Sequence, residues 1–574
     1  MKTLILLAAL VPVSVVAQEA PSAAPSAPAI PPPAPLQVPA RIGITSEVQL
    51  SLSEVLREVL QNNKDVEVSE LSRQKAVLNL KAARGYFDPV IDGNAYKLRT
   101  VNPVSSSLGG ATNGKLTQKE MYADPQLSGI SPWLGTAYKL DFSSSDQFTN
   151  STFNTLNPTY ITAATINLNQ PLWGGLLFDQ DRQRLAVAHK GVAQTEDQFR
   201  QHVIDQATQA IHAYWELDYA LRNLEVQIEA VHLAEQQDAS NRRQVEQGIE
   251  APVDVIQTQT QISTYQQNVF AAQQQLTRTE NSLKALMLPD RFDALWSAAL
   301  KTTIRLDVDD PVPTLEEALH KALADRPDLA AGRIGVQVSE LDARLAREQA
   351  RPKVNLTAQL GSQGLAGTVL PQSGNIFGSA LAPLINRVDE LSALAGLPML
   401  SLSSGNNNSV PAVFQGGYGQ SLQNLRNGSF PIVKVGVQVS LPIGNRTARA
   451  ESSVSDLTKR QTIAQQQQLE MTIESDVRNS LQQLVASRLQ LGASQRARSL
   501  ADQQLASEQR QLKAGTSSVY LVLQRQNELI SAKLREIRAT ADTGEANADF
   551  DRATAATLIK QHIDIVPAKS KRAP

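Results

Sequence analysis

Few residues in this chain have the types and spacing that could do covalent chemistry. Gly109-Gly110-Ala111-Thr112-Asn113-Gly114-Lys115 carries the glycines and lysine of a loop that cradles phosphates. Leu116 then stands where a Ser or Thr hydroxyl would hold magnesium, and no buried strand leads into the run, so nucleotide binding is not expected. His189, His202, His212 and His232 share one long stretch without an i,i+4 pair or a paired acidic ligand, and they read as solvated or heptad-edge positions. Carboxylates are plentiful but scattered along helical faces. Cysteine is absent, which excludes disulfides, thiolate metal sites, a Cys nucleophile and an acylated N-terminal cysteine. No catalytic, cofactor or metal site is expected, and the chain does not read as an enzyme.

The remaining candidates are geometric. Gly248 and Gly515 stand near turns between long helical stretches, where a backbone conformation closed to other residues is needed. Asp254, with Glu250 nearby, follows the first of them.

The elements that position these residues can be read from periodicity. Lys2, the apolar run Leu4 to Leu10 and Val15-Val16-Ala17 predict an export signal over 1–17. Residues 18–46 follow as a Pro/Ala-rich, extended linker. No other segment approaches the ~18 uninterrupted apolar residues of a spanning helix. The 574 residues carry 54 Lys+Arg against 56 Asp+Glu, a balance that argues against nucleic acid as a partner.

After the linker the chain repeats once. Shifted by 263 residues, Leu52, Glu54, Leu56, Leu60, Asp65, Ala83, Arg84 and Pro89 meet Leu315, Glu317, Leu319, Leu323, Asp328, Ala346, Arg347 and Pro352. Gln170-Pro171-Leu172-Trp173-Gly174 then faces Ser440-Leu441-Pro442-Ile443-Gly444, and Gly248 with Val255 faces Gly515 with Val522. The first repeat reads as helix 47–86, strands and loops 87–172, long helices 173–288 and a connecting equatorial segment 289–313. The second reads as helix 314–350, strands and loops 351–443 and long helices 444–556, before a basic tail over 559–574.

Strands alternate apolar and polar faces near 353–360 and 432–441, and in the first half near 88–98 and 159–171. An extra strand at 136–143 faces a possible partner at 120–128 across Pro132-Trp133-Leu134-Gly135; the sequence leaves open whether this hairpin extends the sheet or folds over it. The Gly/Ser/Asn stretches 101–131 and 361–428 read as large loops. From Phe178 to Gln247 there is no proline, and Val203, Ala210, Leu217, Leu224 and Val231 recur every seven residues beside a second seam of Ala207, Tyr214, Leu221 and Ile228. Some 70 helical residues would reach roughly 100 Å.

Together the duplication, the run Ala324-Asp325-Arg326-Pro327-Asp328-Leu329, the elbows at 170–175 and 441–446 and the glycine turns resemble the TolC-like outer membrane efflux protein family, over about Ser46 to Leu558. The resemblance implies a mixed α and β membrane protein with an internal two-fold repeat. Long antiparallel coiled-coil-like helices would form a periplasmic α-barrel. A 12-stranded outer-membrane β-barrel would be shared by a homotrimer, four strands from each copy. It further implies an exit duct for efflux or type I secretion, in contact with outer-membrane lipid, a periplasmic adaptor and an inner-membrane pump of RND, ABC or MFS type.

Family members often place acidic residues six and nine positions after the second glycine; here those are Leu521 and Gln524. An acidic gate would therefore rest on Asp254 and Glu250, which threefold symmetry turns into carboxylate rings. The alternative is that Asp254 caps the following helix. Tyr96, Tyr138, Phe142, Tyr160 and above all Trp173 are candidates for an aromatic girdle at the membrane interface. A different class of reading is a soluble periplasmic coiled-coil scaffold or adaptor, whose strands would build a small globular domain.

Overall fold

The computed structural model describes residues 31, 33–105, 114–248, 251–303, 311–370, 376–398 and 410–563. The export signal, residues 18–30 and 32 of the linker, Gly109 to Asn113, Glu250, Ser401 to Ser409 and most of the basic tail lie outside the described residues.

The first helical expectation, 47–86, resolves into three pieces. Ser46–Leu50 (β1) pairs in parallel with Ala298–Thr302 (β6), a contact with no local signal. Leu52–Asn62 (α1) opens on Ser51, whose side chain accepts from the Glu54 N–H while Glu54 reaches back to the Ser51 N–H. Asn63 then leaves the helical region and caps Lys64–Gly85 (α2) by accepting from the N–H groups of Asp65 and Val66. The expected helix 314–350 breaks in the same way. Leu315–Asp325 (α5) carries the same reciprocal cap, from Thr314 and Glu317, and Pro327–Gln349 (α6) starts on a proline whose missing N–H costs nothing at the first helical position. Both cap pairs stand at the shift by which the sequence repeats.

Four strands follow α2: Val90–Pro103 (β2), Lys115–Ile130 (β3), Ala137–Thr149 (β4) and Leu156–Trp173 (β5). From the second half come Lys353–Val369 (β7) and Phe430–Ser440 (β8). They form one antiparallel sheet in the order β2-β3-β4-β5-β7-β8. The chain thus contributes six strands where the resemblance implied four. The reason is the 115–149 hairpin, which sits within the sheet: β3 pairs with β2 (Tyr96 opposite Tyr122) and β4 pairs with β5 (Leu140 opposite Ile166). The stretch 361–428 is also less loop-like than expected. β7 runs to Val369, and Ile376–Leu394 (α7) and Tyr418–Arg426 (α8) are helical. Helix α8 lies on β5 and β7, its Ser421 hydroxyl 2.9 Å from that of Thr162.

The long helices form two hairpins. Gln180–Glu246 (α3) turns into Pro252–Met287 (α4), and Arg446–Lys513 (α9) into Val519–Ala553 (α10), with a short Thr557–Lys560 (α11) after it. At 1.5 Å per residue α3 and α9 each span roughly 100 Å. The predicted seam is the packed one: Val203, Ala207, Ala210, Tyr214, Leu217 and Val231 are buried. Each large aliphatic side chain so removed from water contributes about 1.5–3 kcal/mol. Tyr214 also ties the seam to the small β1–β6 pair, its hydroxyl donating to the Leu50 carbonyl at 2.8 Å and accepting from the Thr303 N–H at 3.1 Å.

The proline-rich segment is laid along the α3–α4 hairpin. Gln259, Gln266 and Gln273, one heptad apart on α4, donate to the carbonyls of Pro31, Ala34 and Pro39 at 2.7, 3.0 and 2.6 Å. One heptad further, Glu280 accepts from Arg41 at 2.6 Å. A polyproline-like strand has no internal hydrogen bonds, so its carbonyls are free to be gripped in this way.

Candidate functional site: a two-faced strand wall and two helix-hairpin turns

The pairing registers assign every strand residue to one of two faces. One face is apolar: Val433, Val435, Val437 and Val439 on β8, Val354, Leu356, Ala358 and Leu360 on β7, Ala164, Ile166 and Leu168 on β5, and Tyr138, Leu140 and Phe142 on β4. The opposite face is polar, with Lys434 and Gln438 beside Thr357, Gln359, Asn167, Lys139 and Asp141. The four β8 valines are 60–71% exposed, an apolar stripe that water does not favour. The two faces together are what a wall between lipid and an aqueous lumen requires.

Trp173 reaches the apolar face through an irregularity. Ladder partners shift between Pro171 and Trp173, so Pro171 opposes Asn355 of the polar face while Trp173 opposes Val354 of the apolar one. The extra residue, Leu172, inverts the alternation. Trp173 is 53% exposed and sits at the end of β5 from which the chain passes into α3. Tyr138 and Phe142 share its face, and Tyr160 does too but meets Tyr418 of α8 edge-on, 6.1 Å between centroids. Tyr96 departs from expectation. It lies on the polar face, stacked on Tyr122 at 5.1 Å, which removes it from an outward girdle.

Far from the sheet, the two long hairpins turn at Gly248 (φ +74°) and Gly515 (φ +75°), left-handed conformations that cost any other residue about 1–2 kcal/mol. The Gly515 N–H donates to the Leu512 carbonyl and that of Thr516 to Gln511, so the freed carbonyls of α9 are satisfied. Ser518 then caps α10, and Arg525 pairs with Glu528 at 2.6 Å. At the first turn Ala251 is the N-cap and Pro252 the first helical residue, with no side-chain cap bond. Asp254 therefore is not the cap the sequence allowed for; it stands half-buried in the first turn of α4, its charge facing the positive helix end. Leu521 and Gln524 lie in the first turns of α10. Between α4 and α10 runs a groove lined by Ile256, Thr260, Gln261, Tyr520, Gln524 and Asn527, with the Tyr265 hydroxyl donating to Asn527 at 2.7 Å behind it.

Two clusters escaped sequence reading because each joins residues far apart in the chain. His212 on α3 lies 3.2 Å from Asp549 on α10, and that hydrogen bond raises its pKa. Beside it Glu545 is pushed up to about 7, by burial first and by the neighbouring Glu216 next. Arg538 partly offsets this, bonding Glu216 and Asp542 at 2.6 Å each. Arg41, Glu280 and Lys284 form the second cluster. Lys284 and Glu280 are fully buried and 2.6 Å apart, and Lys284 also donates to the carbonyls of Trp296 and Ala298. Among the described residues no group of three His, Asp or Glu converges to hold a metal ion.

The two-faced sheet continued by paired helices of roughly 100 Å is a fold shared with solved outer-membrane channels. The chain superimposes on the CmeC outer membrane channel of Campylobacter jejuni at TM-score 0.59, with 15% identity over 88% of this chain and 86% of that one. CusC matches at 0.59, with 14% identity over 92% and 97% of the two chains. The open state of the MtrE outer membrane channel of Neisseria gonorrhoeae matches at 0.56, with 15% identity over 92% and 98%. No curated protein matches the chain in sequence. Residues 134–287 match the family described as Outer membrane efflux protein, and the TolC-like resemblance drawn from the sequence holds.

Proposed function

We propose that this chain is the outer-membrane exit channel of an efflux or type I secretion assembly, a homotrimer that passes substrate to the exterior. The observation that carries the reading is the sheet with one apolar and one polar face, joined directly to helices long enough to reach deep into the periplasm. An open sheet leaves backbone groups unpaired at both edges, which lipid does not tolerate; closure by further copies satisfies them. The polar face then lines the lumen, and the helices continue it as a tunnel whose inner tip is marked by Gly248 and Gly515. Trp173, Tyr138 and Phe142 supply interface aromatics.

The groove between α4 and α10, with Val253, Ile256 and Tyr520 each more than half exposed near the tip, is the surface on which a periplasmic adaptor would seat, linking the duct to an inner-membrane pump of RND, ABC or MFS type. A pore of this kind works by width, lining charge and gating, with no covalent step. Asp254, repeated three times around the axis, would form a ring that favours cations. Single-channel recording of Asp254→Asn checks this: cation selectivity is expected to fall, and unchanged selectivity removes the ring. Membrane fractionation tests the whole reading against a soluble periplasmic scaffold. Recovery in the outer membrane is expected, and full recovery in the soluble periplasm would overturn it.

A further inference from the structure

We propose that the barrel closed by three copies is eighteen-stranded and as wide as the helical tunnel beneath it, the β3–β4 hairpin being a two-strand widening of the wall. The inference rests on the trimer reading above and adds the strand count. Each copy brings six consecutive antiparallel strands with open edges at β2 and β8. An insertion of two strands is the smallest that leaves the sheet's alternation intact. β2 and β5 run antiparallel whether or not the hairpin stands between them, so adding it disturbs neither flank.

The registers decide between a hairpin in the wall and one folded over it, since β3 pairs with β2 and β4 with β5, and the widths agree. Strands ~4.8 Å apart and tilted ~40° occupy about 6 Å of circumference each. Six therefore span about 38 Å, and four about 25 Å. Directly below, α2, α3, α6 and α9 pack side by side in that order. Four helices at ~9–10 Å spacing span about 36–40 Å. Six strands meet four helices without a step. The outer faces agree as well: Leu127 of β3 and Leu140 of β4 oppose Ile91 and Ile166, so the hairpin continues the apolar band from β2 to β5. Its inner face carries Lys139 and Asp141, 3.3 Å apart, on the lumen side.

Closed by three copies, the backbone ring measures about 36 Å across, against about 24 Å for twelve strands, and encloses roughly twice the cross-section, since width grows with strand number. Electron cryomicroscopy of the purified full-length protein in lipid nanodiscs tests this end-on. A threefold ring near 36 Å is expected. A threefold ring near 24 Å with the hairpin outside it overturns the proposal while leaving the trimer intact; a copy number other than three overturns the trimer reading itself and the count with it. Width is tested independently by single-channel recording with polyethylene glycols of graded size on the external side. Removal of residues 104–151 is expected to lower the largest polymer admitted, and an unchanged cutoff overturns the widening. Should that variant fail to assemble, Ala95→Cys with Ala123→Cys in the otherwise cysteine-free chain gives the remaining readout. Oxidation in membranes is expected to join these facing β2 and β3 positions, and no crosslink places the hairpin off the wall.

Discussion

The buried Arg41–Glu280–Lys284 cluster is the place where a single charge should matter most for integrity. Glu280 and Lys284 are one helical turn apart on α4, both fully buried, and Lys284 spends all three donors on Glu280 and on the carbonyls of Trp296 and Ala298. Lys284→Met keeps much of the volume but leaves a buried carboxylate with Arg41 alone and two carbonyls without donors. Breaking a buried pair from one side typically costs about 3–5 kcal/mol, roughly a hundredfold or more in the unfolding equilibrium. Glu280→Leu should cost about as much, because it strands Lys284 and frees Arg41. The double variant should cost clearly less than the sum, since it removes both charges together; a coupling of about 1–3 kcal/mol is expected. Thermal unfolding followed by circular dichroism in detergent supplies the cycle. Limited proteolysis adds a local readout: Glu280→Leu should expose the 33–41 segment, whose last tie to α4 is the Arg41–Glu280 bond, whereas Lys284→Met, which keeps that bond, should not. Additive single effects, or Lys284→Met within about 0.5 kcal/mol of the native chain, would refute the reasoning.

Three further outcomes follow from other contacts. Gly544 lies against the Trp215 ring, and a Cβ there would collide with it, so Gly544→Val should cost about 3 kcal/mol or more and abolish assembly as judged by native gels. Gly515→Ala should cost about 1–2 kcal/mol through its left-handed backbone, whereas Gly191→Ala, mid-helix with open space around it, should be neutral or stabilising by thermal melts. Glu545, raised from 4.5 to about 7, holds its proton in the fold where an unfolded carboxyl has lost it. Stability from this group is thus present below pH 4.5 and lost as pH rises towards 7, by at most about 3 kcal/mol at ~1.4 kcal/mol per unit. His212, also raised, acts in the same direction at higher pH. Melting temperature should fall between pH 4.5 and 7, and Glu545→Gln should flatten that slope.

What the sequence revealed and what it hid divide along the range of the interactions. Long-helix ends were legible to within a few residues because heptad seams, glycine turns and caps are local signals, repeated many times. Strand faces were legible where alternation was clean, as in Val433 to Val439. They were not in β2, where Val90, Asp92, Asn94, Tyr96 and Leu98 alternate with Ile91, Gly93, Ala95 and Lys97, neither set clearly apolar; Tyr96 was misassigned for that reason. Pairing partners are non-local, so the parallel β1–β6 contact, the seat of the hairpin and the His212–Asp549 contact left no sequence signal. The proline-rich segment laid along the α3–α4 hairpin is an intermediate case. Its polyproline character was plain from composition, but its binding site was a heptad of glutamines, and on a coiled-coil surface Gln259, Gln266 and Gln273 look like any other solvated stripe.

In the proposed channel, that distinction bears on how width is encoded. The width of the proposed tunnel beneath the wall would follow from helix number, four per copy in α2, α3, α6 and α9. The wall's width follows from strand number, which a loop can change by two without altering any helix. β3 and β4 lie where two strands could otherwise meet by a short connection, and their residues need satisfy the two-face alternation, a turn at Gly135 (φ +67°) and the ties of that turn to Arg182 and Gln170. The long-helix core is thus constrained by packing on many sides, while in the proposed barrel the hairpin would answer chiefly to lipid on one face and water on the other, apart from its ties to Arg182, Gln170 and Tyr418. The same looseness explains why its strands could be seen in the sequence and its place in the sheet could not.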